Sequence, residues 1–220
     1  MGRTRTGVLG DASGRVDNVV FAEYRDDNVI RKRPKKSSKP ATAAQLAWRA
    51  SFELMRSFMS KDCKSLFNVG FQSARQQGIT PFNKAFSLNV RHAVAGVYPA
   101  LAIDYAEVLF AKGDLKAVQA PVLATTVDGQ IDVSWNDNSP AADADDLLHP
   151  GLDKITVLAH CPVLQDWVIQ EGAALRTAAA YDLQVPALWS GKEVQVWGYF
   201  VRSDGKKVSA SKYMGVIEVQ

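Results

Sequence analysis

The apolar positions change their spacing once along the chain, near Tyr98: before it they recur at helical intervals, after it they alternate. Over residues 42–60, Gln45, Arg49, Glu53, Arg56 and Ser60 form one polar stripe. Leu46, Trp48, Phe52, Leu54, Met55, Phe58 and Met59 fill the rest of the circumference. That apolar face is wider than a surface helix needs, so this helix is expected to be buried or shared with a partner. Thr42, followed by Gln45, supplies a capping box at its start. A less regular helix is expected over residues 62–77. Thr80 and Pro81 open a third, in which Phe82, Phe86, Val90 and Val94 repeat every four residues before Gly96.

Ahead of these helices, Val19-Val20-Phe21 and Val29-Ile30 are β-prone runs around the turn-forming stretch "RDDN", which predicts a hairpin. Pro34 ends the second run because it lacks the ladder donor. After Tyr98 the pattern predicts strands within 101–113, 121–127, 130–135, 154–160, 166–172, 180–186, 193–201 and 206–219. Ile131, Val133 and Trp135 alternate with Asp132 and Ser134, so the first three are expected to share one buried face. Asp128-Gly129 and Asp204-Gly205 each separate two runs and read as hairpin turns. Short strands spaced about ten residues apart imply a sandwich or barrel. The expected fold class is α+β: an N-terminal β-hairpin and helices, then a C-terminal antiparallel β-sandwich. The expected segments are a basic arm over 1–40, a helical region over 41–97, a connection over 98–116 and the sandwich over 117–220.

Composition adds that the chain is globular, since 47% hydrophobic residues against 22% charged can build a packed core. No apolar run approaches the length of a membrane span, and no apolar stretch follows the first basic residues as a secretory signal requires. The expected location is the cytoplasm, or an assembly of virion-like type. Charge is unevenly placed. Residues 1–60 carry twelve Lys/Arg against six Asp/Glu, residues 61–120 seven against four, and residues 121–220 seven against thirteen. The front of the chain is basic and the back acidic, which bears on partners and orientation rather than on fold.

The sharpest local feature is "RKRPKKSSK", where Arg31, Lys32, Arg33, Lys35, Lys36 and Lys39 put six cations into nine positions with no acid. Three uses stay open at this point. The run can grip a nucleic-acid backbone through counterion release. It can be a solvated linker whose charge discourages edge pairing. It can also dock on an acidic protein surface, including the acidic back of another copy.

Catalytic chemistry has little to stand on. The glycines at 7, 10 and 14 lack the spacing of a phosphate loop. Asp143, Asp145, Asp146 and His149 crowd one polar stretch without the spacing of a helix–loop–helix calcium site. His160 and Cys161 are adjacent on an expected strand, so they point to opposite faces and cannot pair as base and nucleophile. Cys63 and Cys161 lie in segments of different type and read as two buried thiols, not a disulfide. No catalytic, metal-binding or cofactor-binding residue is assigned, no cofactor is expected and no small-molecule substrate is evident.

Two resemblances follow from particular stretches. "QIDVSWNDNS", "KITVLAH" and "EVQVWGYFVRSDGKKVSASKY" are similar to fibronectin type III and related immunoglobulin-like sandwiches, which implies that architecture for the C-terminal part. "VIRKRP", "KPATAAQLAWRASF" and "NVGF" resemble an uncharacterised bacterial family of unknown function, in which the position of Asp17 favours glycine. This second resemblance implies an architecture and no activity, catalytic residue or cofactor. The resulting expectation is a non-enzymatic structural or interaction protein, a homo-oligomer or part of a larger bacterial or phage-like assembly. The alternative is a basic nucleic-acid-binding protein that uses the Lys/Arg cluster.

Overall fold

A computed structural model describes residues 2–4, 13–24, 27–35, 38–59, 63–140 and 148–220. The chain divides into two compact units, Met1–Thr42 and Ala43–Gln220. The first holds a four-stranded antiparallel sheet of β1 (Gly2–Thr4), β2 (Gly14–Val16), β3 (Val19–Tyr24) and β4 (Asp27–Lys32), in the order β1-β4-β3-β2. The expected hairpin is β3–β4. Asp17 and Asn18 turn β2 into β3, with Asp17 at a left-handed φ of 47°. Glycine adopts that conformation freely and aspartate tolerates it, which gives a physical reason for glycine at this position.

The second unit is built in three layers. Its helices are α1 (Ala43–Phe58), α2 (Lys64–Gly70) and α3 (Pro81–His92), with a 3-10 segment at Gln72–Gln77. Thr80 caps α3 as its sequence predicts, its hydroxyl accepting from the Asn83 amide at 3.3 Å. The hairpin of β5 (Val94–Val97) and β6 (Ala100–Ile103) follows. Seven further strands are β7 (Gln119–Ala124), β8 (Gln130–Asn136), β9 (Lys154–Cys161), β10 (Asp166–Leu175), β11 (Ala180–Gln184), β12 (Glu193–Val201) and β13 (Lys212–Glu218). They form two antiparallel sheets, β10-β9-β12-β13 and β11-β8-β7. The fold class is α+β with a C-terminal β-sandwich.

The two inner strands of the four-stranded sheet, β9 and β12, are buried on both faces. Ile155, Val157, Ala159 and Cys161 of β9, with Val194, Val196 and Phe200 of β12, pack against Ile131, Val133 and Trp135 of β8. The opposite face carries Leu158 of β9 with Trp197 and Tyr199 of β12. It packs on Met55, Phe58, Leu66, Phe67 and Phe110 from the helical side. Strict alternation assigns each strand residue to one of two cores. The expected segment boundaries at 97/98 and 116/117 fall inside this unit, because the helices and the sandwich meet in one of those cores.

The stretch 101–113, expected as a strand, is a strand only to Ile103. Other groups take its backbone hydrogen bonds. The Asn89 side chain accepts from the Leu109 amide and donates to the Leu109 carbonyl, both at 2.8 Å. Ser211 Oγ accepts from Phe110 N at 2.9 Å, and Lys112 N donates to Gly70 O at 2.9 Å. Every such group must find a partner when buried, and here two side chains and a distant carbonyl replace a ladder. Arg176 works similarly inside the sandwich. Its guanidinium reaches Asp153 at 2.9 Å, Asn138 at 2.6 Å and the carbonyls of Pro150 and Lys116 at 3.1 Å, and lies 3.7 Å from the Phe200 ring centre.

Trp135 sits where its alternation puts it, buried with Ile131 and Val133, with its indole N–H donating to Arg176 O at 2.9 Å. Trp135→Ala is expected to cost about 3–5 kcal/mol of folding stability in urea titration, the range for deleting a large buried aromatic. A loss below about 1 kcal/mol would undo the assigned register.

Candidate functional site

The basic run lies at the end of the first sheet and beyond it. Arg31 and Lys32 close β4, opposite Val20 and Val19, so they fall on opposite faces. Arg33 extends the pairing by donating its amide to Asn18 O at 2.8 Å. Arg31, Lys32, Arg33, Lys35 and Lys39 are all exposed, and Lys36 lies outside the described residues. Arg31 and Lys32, at least, do not share one face of the sheet. Register adds a residue that the sequence reading missed: Arg15 pairs with Val20, which pairs with Arg31, so two arginines flank one valine in a cross-strand row. The signal was present in "RVDNVV", where Asp-Asn between valine-bearing runs is turn chemistry.

The second unit presents a different surface. The wide apolar face of α1 buries only Met55 and Phe58 within the helix. Trp48 and Phe52 stay 55% and 51% exposed. Their rings meet edge to face at 6.2 Å, and Phe52 packs on Phe86 of α3 at 5.3 Å. With Arg49, Glu53 and Arg56 these aromatics line a groove of about 470 Å³. A second groove of about 380 Å³ adjoins it across Trp48, reaching Arg91 and the β5–β6 turn, where Val97 is 83% exposed. Trp and Arg together around an apolar centre are the side chains that dominate binding energy at protein interfaces.

The candidate chemical residues do not converge. His160 faces the helical core and Cys161 the sandwich core, as alternation requires. Both cysteines are buried, and neither forms a disulfide. Among the described residues no group of three or more His, Cys, Asp or Glu is placed to hold a metal ion. Asp143, Asp145 and Asp146 lie outside the described residues; His149 is buried, and its Nδ1 accepts from Gly151 N at 3.0 Å. Among the described residues no helix is long and apolar enough to cross a membrane.

The chain belongs to the family of unknown function DUF6266, whose model matches residues 11–215. No curated protein matches its sequence.

His160 stacks on Trp167 at 4.2 Å, and Phe58 meets it edge-on at 5.3 Å. Burial pushes its imidazole below the ordinary value of 6.5, against the pull of the Asp166 carbonyl at 3.0 Å and the Asp166 charge. The folded state thus holds it neutral, while the unfolded chain takes up a proton near the ordinary value. Its contribution to stability is complete above pH 6.5 and is lost as pH falls below that value toward the depressed one. Urea midpoints should drop on acidification through this window in the native protein. In His160→Phe that part of the drop should disappear, whereas an equal drop would assign the dependence to other groups.

Proposed function

We propose that the protein is a non-enzymatic interaction protein that docks to further copies of itself through the exposed aromatic face of α1. It serves as a repeated subunit of a larger bacterial or phage-like assembly. The observation that carries this reading is the exposed Trp48–Phe52–Phe86 cluster with Arg49, Arg56 and Arg91 around it. Leaving such a surface in water is unfavourable unless a partner covers it.

Charge complementarity favours a second copy as the partner. The outer face of the β11-β8-β7 sheet sets Asp182 directly opposite Asp132, beside Val122, which is 60% exposed. Hydrogen bonds from Thr126 and Gln130 hold the Asp132 carboxyl below its usual range, so this face stays anionic. An arginine-rimmed aromatic groove on one copy and an acidic sheet face on the next make a head-to-tail contact, which generates rings or filaments. In this reading Arg31, Lys32, Arg33, Lys35, Lys36 and Lys39 add long-range attraction to the same acidic surfaces.

The sandwich itself reads as immunoglobulin-like, of fibronectin type III kind. Its first, second and fifth strands share one sheet, and its third, fourth, sixth and seventh share the other. That partition supports the reading, since it is the constant-type immunoglobulin arrangement with the fourth strand moved across.

Sedimentation of nuclease-treated protein tests the docking reading. The wild type is expected to show concentration-dependent species above the 24.0 kDa monomer. Trp48→Ser with Phe52→Ser should remain monomeric with an unchanged circular dichroism spectrum. Salt should weaken assembly as the Debye length falls to about 3 Å near 1 M. A wild type that stays monomeric at every soluble concentration, yet binds nucleic acid unless the six cations are neutralised, would overturn the proposal and favour the alternative.

A further inference from the structure

A cavity of about 350 Å³ in the second unit gathers four lysines from three separate parts of the chain. Lys84 comes from α3, Lys112 from the segment after β6, and Lys206 and Lys207 from the turn between β12 and β13. Asp114 is the one carboxylate in the lining. Gln72, Ser73 and Gln77 of the 3-10 segment add neutral hydrogen-bonding groups. No sequence motif marks this site, because its lysines are scattered over more than a hundred residues.

The walls are fixed by main-chain bonds rather than by the lysines themselves. Lys112 N donates to Gly70 O at 2.9 Å, and Leu115 N donates to Val208 O at 3.1 Å. The Gln72 side-chain amide donates to Gly205 O at 3.2 Å, joining the 3-10 segment to the β12–β13 turn. Lys206 N donates to Asp204 Oδ1 at 2.8 Å, and Asp204 is also ion-paired to Arg202. At Gly113 a Cβ would collide with the Val208 carbonyl, so glycine is required for these two segments to approach. Of the four ammonium groups, Lys84 is braced by Gln77 Oε1 at 3.3 Å. Lys112, Lys206 and Lys207 are exposed, and like charges gathered around one cavity repel each other, a cost that a bound anion removes.

We propose that this cavity binds a small ligand carrying two or more phosphate groups. Lysine offers a compact point charge with three donors and suits phosphate, whereas planar carboxylates favour the fork of arginine. No arginine lines the cavity. The volume is at the lower end of small-ligand sites, roughly 300–1,000 Å³. The buried side chains of Ala74 and Val208 give it an apolar floor. This inference is independent of the docking proposal, since none of its residues belongs to the α1 groove.

Calorimetric titration with inorganic pyrophosphate at constant ionic strength tests it, with citrate and a short single-stranded oligonucleotide as parallel probes. Saturable binding of pyrophosphate is expected, with Lys112→Gln plus Lys207→Gln weakening it by about tenfold or more, as loss of charged hydrogen bonds requires. Lys64→Gln plus Lys154→Gln removes the same charge outside the cavity and should leave binding unchanged. Thermal unfolding of each variant confirms that the fold is retained. Absence of saturable pyrophosphate binding overturns the proposal, as does an equal loss in both double variants. Tighter binding of citrate or of the oligonucleotide than of pyrophosphate overturns the ligand class.

Discussion

The burial of β9 and β12 on both faces is the constraint from which the rest of the second unit follows. A strand pair that faces two cores cannot present a polar side, so the helices are required as a covering layer. Phe58 shows how tightly that layer is tied: its ring meets Trp167, Tyr105 and Trp197 at 5.2, 5.9 and 6.5 Å. The Trp197 indole in turn donates to Tyr105 O at 3.0 Å, fixing the segment between helix and sandwich. Because α1 spends its C-terminal end on this core, its N-terminal aromatics are left outside. The exposed groove is thus a consequence of where the helix is anchored.

Polar groups inside the unit do the connecting. Asn89, Ser209, Ser211 and Arg176 each satisfy backbone groups that no ladder reaches. The Arg176–Asp153 pair is buried on both sides, and burial pushes the Asp153 carboxyl upward against the pull of the guanidinium. Such pairs add little net stability over an apolar core, but losing one partner is costly because the other charge stays buried. Arg176 therefore acts as the hub that fixes the loops preceding β9 and following β10 to the sandwich.

Much of the fold was legible because it rests on local pattern. Alternation located β8 and the inward face of Trp135, and Thr80-Pro81 located the start of α3. The nearly continuous apolar runs "ITVLAHC" and "VQVWGYFV", broken only by Thr156, His160 and Gln195, already carry the mark of strands covered on both faces. Their partner could not be named, since nothing local says which element covers them. Residues 104–113 misled for the opposite reason: they are apolar enough for a strand, yet distant side chains and the Gly70 carbonyl take their hydrogen bonds. The basic run was legible as charge, but its division between two faces and its alignment with Arg15 are matters of register. The lysine cavity has no local signature at all, because chain folding alone brings Lys84, Lys112 and Lys207 together.

Comparison of two fragments tests the shared core most directly: Ala43–Gln220, which contains all three layers, and Leu115–Gln220, which lacks the helical layer. The larger fragment should unfold cooperatively and keep its near-ultraviolet tryptophan signal. The smaller should expose the Leu158, Trp197 and Tyr199 face, bind a hydrophobic dye and lose cooperative unfolding. A Leu115–Gln220 fragment that unfolds in one sharp transition with the same tryptophan signal would contradict the account.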